Sequence, residues 1–325
     1  MRGSAVACAN IALAKYWGKS DTALNLPAVP SLSLTLGELT TETSVVFDSA
    51  FERDELLLNG HVANDASLGR AIALLDRLRS RAKITLKARV ESTNNFPTAS
   101  GLASSASGFA ALAGATSSAL QLALPPNELS AVARASSASA ARSVFGGFVE
   151  LVAGQPGEAN LSAQPLFNEA HWKVCMVVAV TAEHEKDVGS TSGMESSRAT
   201  SPYYDAWLKT APALFSRVRN GVAARDIERT GEAMEESMWA MHACALASTP
   251  SIRYWQSATA NALDTVQRLR KEKSLPVYAT MDAGPHVKAF CRSEDARSVS
   301  EELAATPGVL RTLLASPGPG IRVSA

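Results

Sequence analysis

The sequence predicts an α+β protein built from two halves, and three observations lead to this prediction. The chain has 325 residues, a comfortable length for two domains of about 150 residues each. Short apolar or alternating stretches dominate the first half, whereas helical periodicity dominates the region after residue 190 until strands return. Glycine, proline, asparagine and serine cluster over residues 155–172, which indicates a domain boundary there. We therefore divide the chain into residues 1–170 and 171–325.

The individual elements follow from hydrophobic periodicity and turn residues. Alternating or continuous apolar stretches predict strands at 5–14, 31–39, 43–47, 55–58, 82–91, 146–152, 173–180 and 277–281. Apolar residues at helical spacing predict helices at 66–78, 104–122, 126–135, 193–196, 203–220, 223–247, 252–273 and 295–306. No apolar run approaches the ~20 residues that a membrane span requires.

Charge and composition argue against several classes of partner. The 31 basic residues balance 31 acidic ones, and no long run of one sign supports binding to nucleic acid or a membrane surface. Residues 5–14 could pass for a short secretion signal. That stretch consists mostly of alanine and carries Asn10 at its centre. We therefore expect a soluble, cytoplasmic protein that acts on a small molecule.

The cysteines and histidines do not form a recognisable metal site. The four cysteines are widely separated, and no histidine stands at ligand spacing from another ligand. This distribution predicts reduced thiols in a cytosolic protein, and the spacing argues against a zinc site. Four histidines are interpreted as structural or surface residues, and one as a weak candidate near a polar site. The four are His61, His171, His242 and His286, and the weak candidate is His184.

The most informative segment is residues 94–109, Asn-Asn-Phe-Pro-Thr-Ala-Ser-Gly-Leu-Ala-Ser-Ser-Ala-Ser-Gly-Phe. A proline and a glycine mark a turn, two serines follow, and an Ala-rich helical pattern begins directly after them. Such a loop offers backbone N–H groups to phosphate at the positive end of a helix. It lacks the Gly-Lys-Ser/Thr ending of a Walker A loop. A capped helix with small residues packed on a sheet explains the same pattern without a ligand.

Three further clusters place charged side chains at predicted strand ends or turns. Residues 10–19 end a strand with two lysines four apart, which suits anion binding. Residues 134–148 surround Arg142 with serine hydroxyls before a Gly-Gly turn, so its guanidinium can fork onto a carboxylate or phosphate. Residues 279–286 run from an apolar strand into Asp282 and a Gly-Pro turn. Taken singly, a solvated strand end, a polar loop and a common turn explain these clusters as well.

Together these clusters resemble the diphosphomevalonate decarboxylases, a branch of the kinase superfamily of galactokinase, homoserine kinase, mevalonate kinase and phosphomevalonate kinase. The most specific signatures are Lys-Tyr-Trp-Gly-Lys at residues 15–19 and Asn-Asn-Phe-Pro-Thr-Ala-Ser-Gly-Leu-Ala-Ser-Ser at residues 94–105. Further matching blocks occur in family order. They are residues 142–148, 190–194, 200–204, 241–243, 254–255 and 281–285. The resemblance therefore covers nearly the whole chain.

The resemblance implies a fold and an activity. Residues 1–170 would form a domain like the second domain of ribosomal protein S5 and carry the nucleotide-binding loop. Residues 171–325 would form a ferredoxin-like domain with the catalytic aspartate, and the active site would lie in the cleft between the domains. The family is an ATP- and Mg²⁺-dependent lyase of the mevalonate pathway of isoprenoid biosynthesis. It phosphorylates the C3 hydroxyl of mevalonate 5-diphosphate, and loss of that phosphate and of CO₂ gives isopentenyl diphosphate. A homodimer is the implied assembly.

The resemblance also implies roles for individual residues. Asp282 would orient or deprotonate the C3 hydroxyl, and Lys15 would sit beside it and keep it ionised. Arg142 would clamp the substrate carboxylate, and Asn10 would contact that carboxylate or help to hold Arg142. The diphosphate contacts map onto Tyr16, Lys19, Ser137, Ser139, Lys186 and Ser190. The nucleotide contacts map onto Ser92, Asn94, Pro97, Ser100, Gly101, Leu102, Ala103, Ser104 and Ser105, with Ser105 or its neighbour Ser104 near Mg²⁺.

One stretch departs from the family pattern and keeps alternatives open. The family usually has Gly-Ser-Gly-Ser where residues 136–139 read Ser-Ser-Ala-Ser. If a missing glycine is needed at positive φ, the added Cβ would cost about 1 kcal/mol or more. The alternatives are a decarboxylase of mevalonate 5-phosphate, a mevalonate 3-kinase, and a catalytically silent binding protein on the same scaffold. The retained Lys19 and serines argue against the first, and the retained Asp282, Lys15 and Arg142 against the other two.

Overall fold

A computed structural model describes residues 1–96, 104–183 and 186–324. The strands in these ranges are β1 (Arg2–Ala14), β2 (Lys19–Asp21), β3 (Leu26–Pro27), β4 (Ser31–Asp48), β5 (Glu55–Leu58), β6 (His61–Val62), β7 (Lys87–Asn94), β8 (Phe148–Leu151), β9 (Gln164–Phe167), β10 (Val174–Val180), β11 (Tyr278–Thr280), β12 (Val287–Arg292), β13 (Arg311–Ala315) and β14 (Arg322–Ser324). The helices are α1 (Asp65–Ala82), α2 (Ser104–Ala119), α3 (Pro126–Ser136), α4 (Ser190–Thr200), α5 (Tyr204–Ala224), α6 (Ile227–Leu246), α7 (Ser257–Glu272) and α8 (Ala296–Ala304), with a 3₁₀ helix at Ala138–Val144.

The N-terminal domain is a twisted sheet covered by helices. Among the described strands its order is β14-β1-β4-β7-β5-β6, and β8 and β9 extend it from the first half of β4. The long strands β1 and β4 run antiparallel from Arg2↔Val46 to Ala14↔Leu32. Helices α1, α2 and α3 share one core with the strands, and the buried face of α2 is mostly alanine. Small side chains let α2 lie close to β1, where a Cβ at Gly3 would overlap the α2 backbone.

The C-terminal domain contains an antiparallel sheet of order β11-β12-β10-β13 in the described residues. Numbered from β10 along the chain, this order is 4-1-3-2 when read from β13, which is the ferredoxin-like arrangement. Alternate residues of β10 point to opposite faces: Val174 and Met176 join a core with β1, β4, α5 and α6, whereas Cys175 and Val177 pack under α7 and α8. The predicted two-domain α+β architecture is confirmed, and a shared apolar core joins the domains.

Several predicted elements have different bounds in the structure. The strands predicted at 31–39 and 43–47 are one strand, β4, because β1 pairs with it from Leu32 to Leu36 and again from Thr40 to Val46. Helix α1 continues to Ala82, where Lys83 adopts a left-handed conformation, so β7 begins later than predicted. Helix α7 begins at Ser257 because a capping box on Gln256 fixes its start. Seven strands of the described ranges were not predicted, namely β2, β3, β6, β9, β12, β13 and β14.

The last residues of the chain return to the N-terminal domain. Strand β14 pairs antiparallel with β1 in the register Ser4↔Ser324 to Val6↔Arg322. The predicted division placed all of residues 171–325 in the second domain, whereas β14 belongs to the sheet of the first. No helix in the described ranges combines the length and the hydropathy needed to cross a membrane. All four cysteines are buried and unpaired, as the prediction of reduced thiols requires.

A buried arginine holds together three segments of the N-terminal domain. Arg134 on α3 is fully buried, and its guanidinium donates to three backbone carbonyls. The acceptors belong to Leu24 beside the β2–β3 hairpin and to Ala159 and Leu161 in the loop after β8. One side chain therefore joins three separate stretches of backbone.

We expect Arg134→Met to lower the free energy of unfolding by about 3 kcal/mol or more, because it leaves buried carbonyls without donors. Urea unfolding of the full chain measures this loss. Arg81→Met is the control, since Arg81 lies on the surface with a half-exposed partner, Glu128, and should change the stability by less than about 1 kcal/mol. Equal losses of unfolding free energy in both variants would contradict the structural role assigned to Arg134.

Candidate active site

The residues that follow two strands of different domains meet in an ion cluster. Lys15 follows β1 and Asp282 follows β11 closely, and Lys15 Nζ lies 2.7 Å from Asp282 Oδ1. Lys288 on β12 adds a second ammonium group 3.4 Å from Asp282 Oδ2. Both lysine side chains are buried, whereas the Asp282 side chain is 24% exposed. The carboxylate is therefore the part of the cluster that a substrate can reach.

The cluster keeps the carboxylate ionised. Burial by itself would raise the pKa of Asp282, but the charges of Lys15 and Lys288 outweigh it and hold the pKa well below its usual range. Burial lowers the pKa of Lys15 from its ordinary 10.5 to about 8, although the charge of Asp282 opposes this shift. The site thus pairs a fully ionised base with an ammonium group that loses its proton under mildly alkaline conditions.

This pairing predicts how activity depends on pH. Lys15 loses its charge above about pH 8, so we expect kcat/KM to fall above that pH as Asp282 loses its partner. The effect on stability has the opposite sign. Because the folded pKa is below the ordinary value, the unfolded chain binds more protons between about pH 8 and pH 10.5, and the contribution of Lys15 to stability rises across that window.

A kcat/KM profile, which reports the free enzyme, tests the assignment when it is compared with that of Lys15→Arg. A guanidinium stays protonated throughout this range, so the alkaline limb should move to higher pH in the variant. Burial also lowers the pKa of Lys186 to about 8, so Lys186 is the alternative source of an alkaline limb. An alkaline limb that stays in place in Lys15→Arg would contradict the assignment to Lys15.

Arg142 lies near this cluster on the 3₁₀ helix, where its side chain is buried. Its Nε donates to Ser33 Oγ at 3.0 Å and its Nη1 to Ser31 Oγ at 2.8 Å. Burial lowers its pKa to about 10, so the group keeps its charge at neutral pH. Because the neutral hydroxyls of β4 orient the guanidinium without cancelling its charge, it can bind an anion.

Asn10 on β1 holds the helix that carries Arg142. Its Nδ2 donates to the Ser139 carbonyl at 3.0 Å and to Ser143 Oγ at 2.8 Å. Its Oδ1 is buried with no hydrogen-bond partner in the described part of the chain. The hydrogen bonds of Asn10 therefore fix the backbone around Arg142 rather than the guanidinium itself, and leave one oxygen for a ligand.

Two of the residues assigned to the diphosphate, Ser137 and Ser139, stand at the start of the same helix. The hydroxyls of Ser137 and Ser139 lie 3.1 Å apart. Lys19 on β2 is buried, and burial lowers its pKa. The Tyr16 hydroxyl is buried without a partner among the residues the structure describes. Arg70 on α1, a residue that the sequence analysis missed, donates from Nη2 to the Ser136 carbonyl at 3.2 Å and adds a cation.

The departure at residues 136–139 causes no backbone strain. Ser136 ends α3 and Ala138 begins the 3₁₀ helix, and neither has a positive φ. Ser137 between them has φ −158°, an extended conformation that any residue adopts. Neither position requires a positive φ, so the replacement of glycine by serine and alanine carries no conformational penalty of that kind.

Lys186 and Ser190, also assigned to the diphosphate, lie beside the residue that follows Asp282. Lys186 Nζ donates to Ser190 Oγ at 2.8 Å and to the carbonyl of Ala283 at 2.7 Å. Ser190 is the first residue of α4, so its backbone N–H points outward from a helix N-terminus. His184 lies outside the described residues.

The nucleotide side is described only in part. Ser92 Oγ lies 2.9 Å from Thr43 Oγ1, and the Asn94 Oδ1 accepts from Thr41 Oγ1, so both side chains are held against β4. Ser104 and Ser105 form the start of α2, whose first turn has no acidic residue, which suits phosphate. The remaining predicted nucleotide contacts, Pro97, Ser100, Gly101, Leu102 and Ala103, lie outside the described residues.

The described residues are compatible with a magnesium ion that is bound mainly through phosphate groups. No group of three histidine, cysteine, aspartate or glutamate side chains in the described ranges could hold a metal by itself. Mg²⁺ often keeps several waters and is bound through substrate phosphates with few protein ligands. The hydroxyl of Ser105, or of Ser104, at the start of α2 is compatible with that kind of site.

Besides Arg70, the sequence analysis missed four residues that contact the predicted catalytic residues. Ser31 and Ser33 hold Arg142, and Ser237 on α6 accepts from the backbone N–H of Lys15 at 3.0 Å. Lys288 pairs with Asp282. One signal was available for Lys288, because it interrupts the apolar run at residues 287–291, and a buried lysine requires a charged partner. The serines carry no comparable signal.

Comparison with known proteins agrees with this geometry. The profile of the diphosphomevalonate decarboxylase-like N-terminal domain matches residues 7–162, and that of the mevalonate 5-diphosphate decarboxylase C-terminal domain matches residues 176–309. The chain belongs to the diphosphomevalonate decarboxylase family. The family member of Aspergillus fumigatus is 35% identical over 94% of this chain and 81% of its own length. The human member is 34% identical over 93% and 80%.

Solved structures of family members have the same fold over the whole chain. A complex of MDDEF with MVAPP, AMPPCP and magnesium has a TM-score of 0.93 at 38% identity, covering 100% of this chain and 99% of the other. The mevalonate diphosphate decarboxylase of Staphylococcus aureus has a TM-score of 0.93 at 36% identity, covering 100% and 98%. This similarity supports the two-domain description of the fold.

Proposed function

We propose that the protein catalyses the ATP-dependent decarboxylation of mevalonate 5-diphosphate to isopentenyl diphosphate. The observation that carries the proposal is the ion cluster of Asp282 with Lys15 and Lys288, placed near Arg142, whose guanidinium donates to two neutral hydroxyls and keeps its charge. Membership of the diphosphomevalonate decarboxylase family and the likeness to the complex with MVAPP, AMPPCP and magnesium support it.

The first part of the reaction is phosphoryl transfer to the C3 hydroxyl. Asp282 orients that hydroxyl and accepts its proton as the oxygen bonds to the γ-phosphorus of ATP, and ADP leaves. Because phosphoryl transfer depends mainly on positioning and charge neutralisation, one carboxylate with adjacent cations suffices on the protein side. Lys15 keeps Asp282 ionised and adds positive charge. Mg²⁺, held through phosphates with Ser105 or Ser104, neutralises phosphate charge.

The second part breaks two bonds and forms one. The C3–O bond breaks and releases the phosphate, the bond from C2 to the carboxylate carbon breaks and releases CO₂, and the freed electron pair forms the C2–C3 double bond. Arg142 holds the carboxylate in the direction from which it departs, and the 3₁₀ helix that Asn10 fixes keeps Arg142 in place. The substrate diphosphate is bound by Tyr16, Lys19, Ser137, Ser139, Lys186 and Ser190.

The substrate assignment is tested by following ADP, phosphate and CO₂ with ATP, Mg²⁺ and either mevalonate 5-diphosphate or mevalonate 5-phosphate. Equal amounts of all three products from the diphosphate, and little from the monophosphate, are expected. The absence of a positive φ at residues 136 and 138 supports an intact diphosphate site. Preference for the monophosphate would favour the alternative decarboxylase. ADP without CO₂ would indicate a 3-kinase, and ATP binding without turnover a silent protein.

We also propose that the protein is a cytoplasmic homodimer, and that its second domain begins at residue 171 and ends before β14, which pairs with β1. Family membership supports the assembly, and the free, buried cysteines agree with a reducing compartment. Light scattering on the purified chain measures the assembly directly. A molar mass near 34.1 kDa at micromolar concentration would contradict the dimer.

A further inference from the structure

The segment between β13 and β14, residues 316–321, crosses from the sheet of the second domain to the sheet of the first. Its sequence is Ser-Pro-Gly-Pro-Gly-Ile, a composition typical of a loop. Strand β13 before it pairs with β10, and strand β14 after it pairs with β1. The segment is therefore anchored at both ends, and we call it the strap.

The strap forms backbone hydrogen bonds with the 3₁₀ helix that carries Arg142 and with the turn that follows it. The N–H of Ile321 donates to the carbonyl of Val144, the last residue of that helix, at 3.1 Å. The carbonyl of Gly318 accepts from the N–H of Gly147 at 2.9 Å, and the N–H of Gly318 donates to the carbonyl of Thr35 at 2.8 Å. The strap thus joins the end of the helix, the Gly-Gly turn and β4.

Thr35 belongs to a row of hydroxyls on β4 that holds Arg142. Ser31, Ser33 and Thr35 alternate along the strand, so their side chains lie on one face of it. The two serines accept from the guanidinium, and Thr35 Oγ1 donates to the carbonyl of Phe145 at 3.0 Å. The N–H of Phe145 in turn donates to the carbonyl of Arg142 at 3.1 Å. The side chain and the backbone of Arg142 are therefore held by the same strand, to which the strap is bonded.

Glycines make this crossing possible. A Cβ on Gly318 would lie 2.3 Å from the Cα of Gly37, and a Cβ on Gly146 would lie 2.6 Å from the backbone nitrogen of Gly320. Both distances are far shorter than a contact between atoms that are not bonded to each other. Neither Gly318 nor Gly37 has a positive φ. Alanine at either position would therefore act by displacing the strap from β4 and not through backbone strain.

We propose that the strap is a positioning segment for Arg142, which fixes the end of the 3₁₀ helix against Thr35 and so holds the guanidinium in line with the substrate carboxylate. Strand β13, from which the strap starts, belongs to the same sheet as β11, the strand before Asp282. The strap therefore also ties Arg142 in the first domain to the sheet that carries Asp282 in the second. This inference rests on the proposed function, which gives Arg142 its role.

The first test reads the contact itself and needs no substrate. Hydrogen–deuterium exchange of the full chain, measured by mass spectrometry of its peptides, compares Gly318→Ala with Gly69→Ala, whose added methyl group would meet nothing within 4 Å. We expect Gly318→Ala to speed exchange by about 5-fold or more, the equivalent of one lost hydrogen bond, in residues 142–148 as well as in 316–321. Gly69→Ala should change neither segment. Faster exchange confined to residues 316–321 would overturn the proposal.

Gly37→Ala is the milder variant in case Gly318→Ala does not fold, because its Cβ would lie 3.2 Å from the Cα of Gly318. We expect faster exchange in the same two segments, to a smaller extent. Exchange in residues 142–148 that stays at the wild-type rate while residues 316–321 exchange faster would again overturn the proposal.

The second test separates positioning from a general loss of structure. We expect Gly37→Ala and Gly318→Ala to lower kcat by up to about 100-fold, the cost of misplacing a group by about 1 Å, with an unchanged KM for ATP. Both variants should release less CO₂ than ADP in the first turnovers, because Arg142 is the group proposed to hold the carboxylate. A protein that is merely less stable keeps a CO₂ to ADP ratio of one in its folded fraction, and that ratio would overturn the proposal.

Thr35→Val and Thr35→Ser test the contact through which the strap acts. Valine keeps the shape of the side chain but cannot donate to the carbonyl of Phe145, whereas serine can. We expect a CO₂ to ADP ratio below one in Thr35→Val and near one in Thr35→Ser, and equal ratios in the two variants would overturn the proposal. If the wild-type chain released neither product, the proposed function would fail, while the exchange measurement would still decide whether the strap holds the backbone of Arg142.

Discussion

Replacing Asp282 with asparagine is expected to lower kcat by about 10²–10⁴-fold, the range that a positioned general base contributes. Asparagine keeps the shape of the side chain but cannot accept the proton of the C3 hydroxyl. The substitution also removes the counter-charge of Lys15 and Lys288, both of which are buried. Leaving a buried charge without its partner costs about 3–5 kcal/mol, so the variant should be less stable as well as slow.

Two measurements separate these effects. Release of ADP and CO₂ measures the chemistry, and binding of a non-hydrolysable ATP analogue at low temperature shows that the nucleotide side is intact. Asp264→Asn is the control, since Asp264 is an exposed residue of α7 and should leave both measurements unchanged. An Asp282→Asn variant that binds the analogue and turns over at the wild-type rate would falsify the assigned role.

Replacing Arg142 with lysine is expected to lower kcat/KM for the substrate by about 10²-fold. The variant keeps a positive charge but loses the planar fork that holds a carboxylate with two parallel hydrogen bonds, and charge-assisted bonds of this kind contribute about 1.5–3 kcal/mol each. It also removes the guanidinium N–H groups that donate hydrogen bonds to Ser31 and Ser33. Decarboxylation should suffer more than phosphorylation, because the carboxylate is the group that Arg142 holds.

The ratio of CO₂ to ADP therefore tests this role more directly than the overall rate does. We expect a ratio below one in Arg142→Lys during the first turnovers. Arg89→Lys is a suitable control, because Arg89 lies on β7 with a half-exposed partner, Glu55. A variant with unchanged kcat/KM and a ratio of one would place carboxylate binding on another group.

Much of the fold could be read from the sequence, because its elements obey local rules. The strand β5 and the two helices α3 and α8 follow from periodicity and turn residues to within a few residues. Strands β12 and β13 were missed, because a short apolar run with a lysine or arginine in it does not have a strand period of its own. They become strands only because β10 lies between them and supplies hydrogen bonds to both.

The amino-acid sequence by itself was enough to predict which residues carry the proposed chemistry: Asp282, Lys15, Arg142 and Asn10 stand in motifs whose order along the chain resembles that of the family. Only the tertiary structure decided what supports them. Lys288 lies in a segment that looks like an ordinary strand, and its importance arises from its contact with Asp282. Such contacts depend on how two sheets and α6 pack together, and no local spacing in the sequence encodes the distance between side chains that are far apart along the chain.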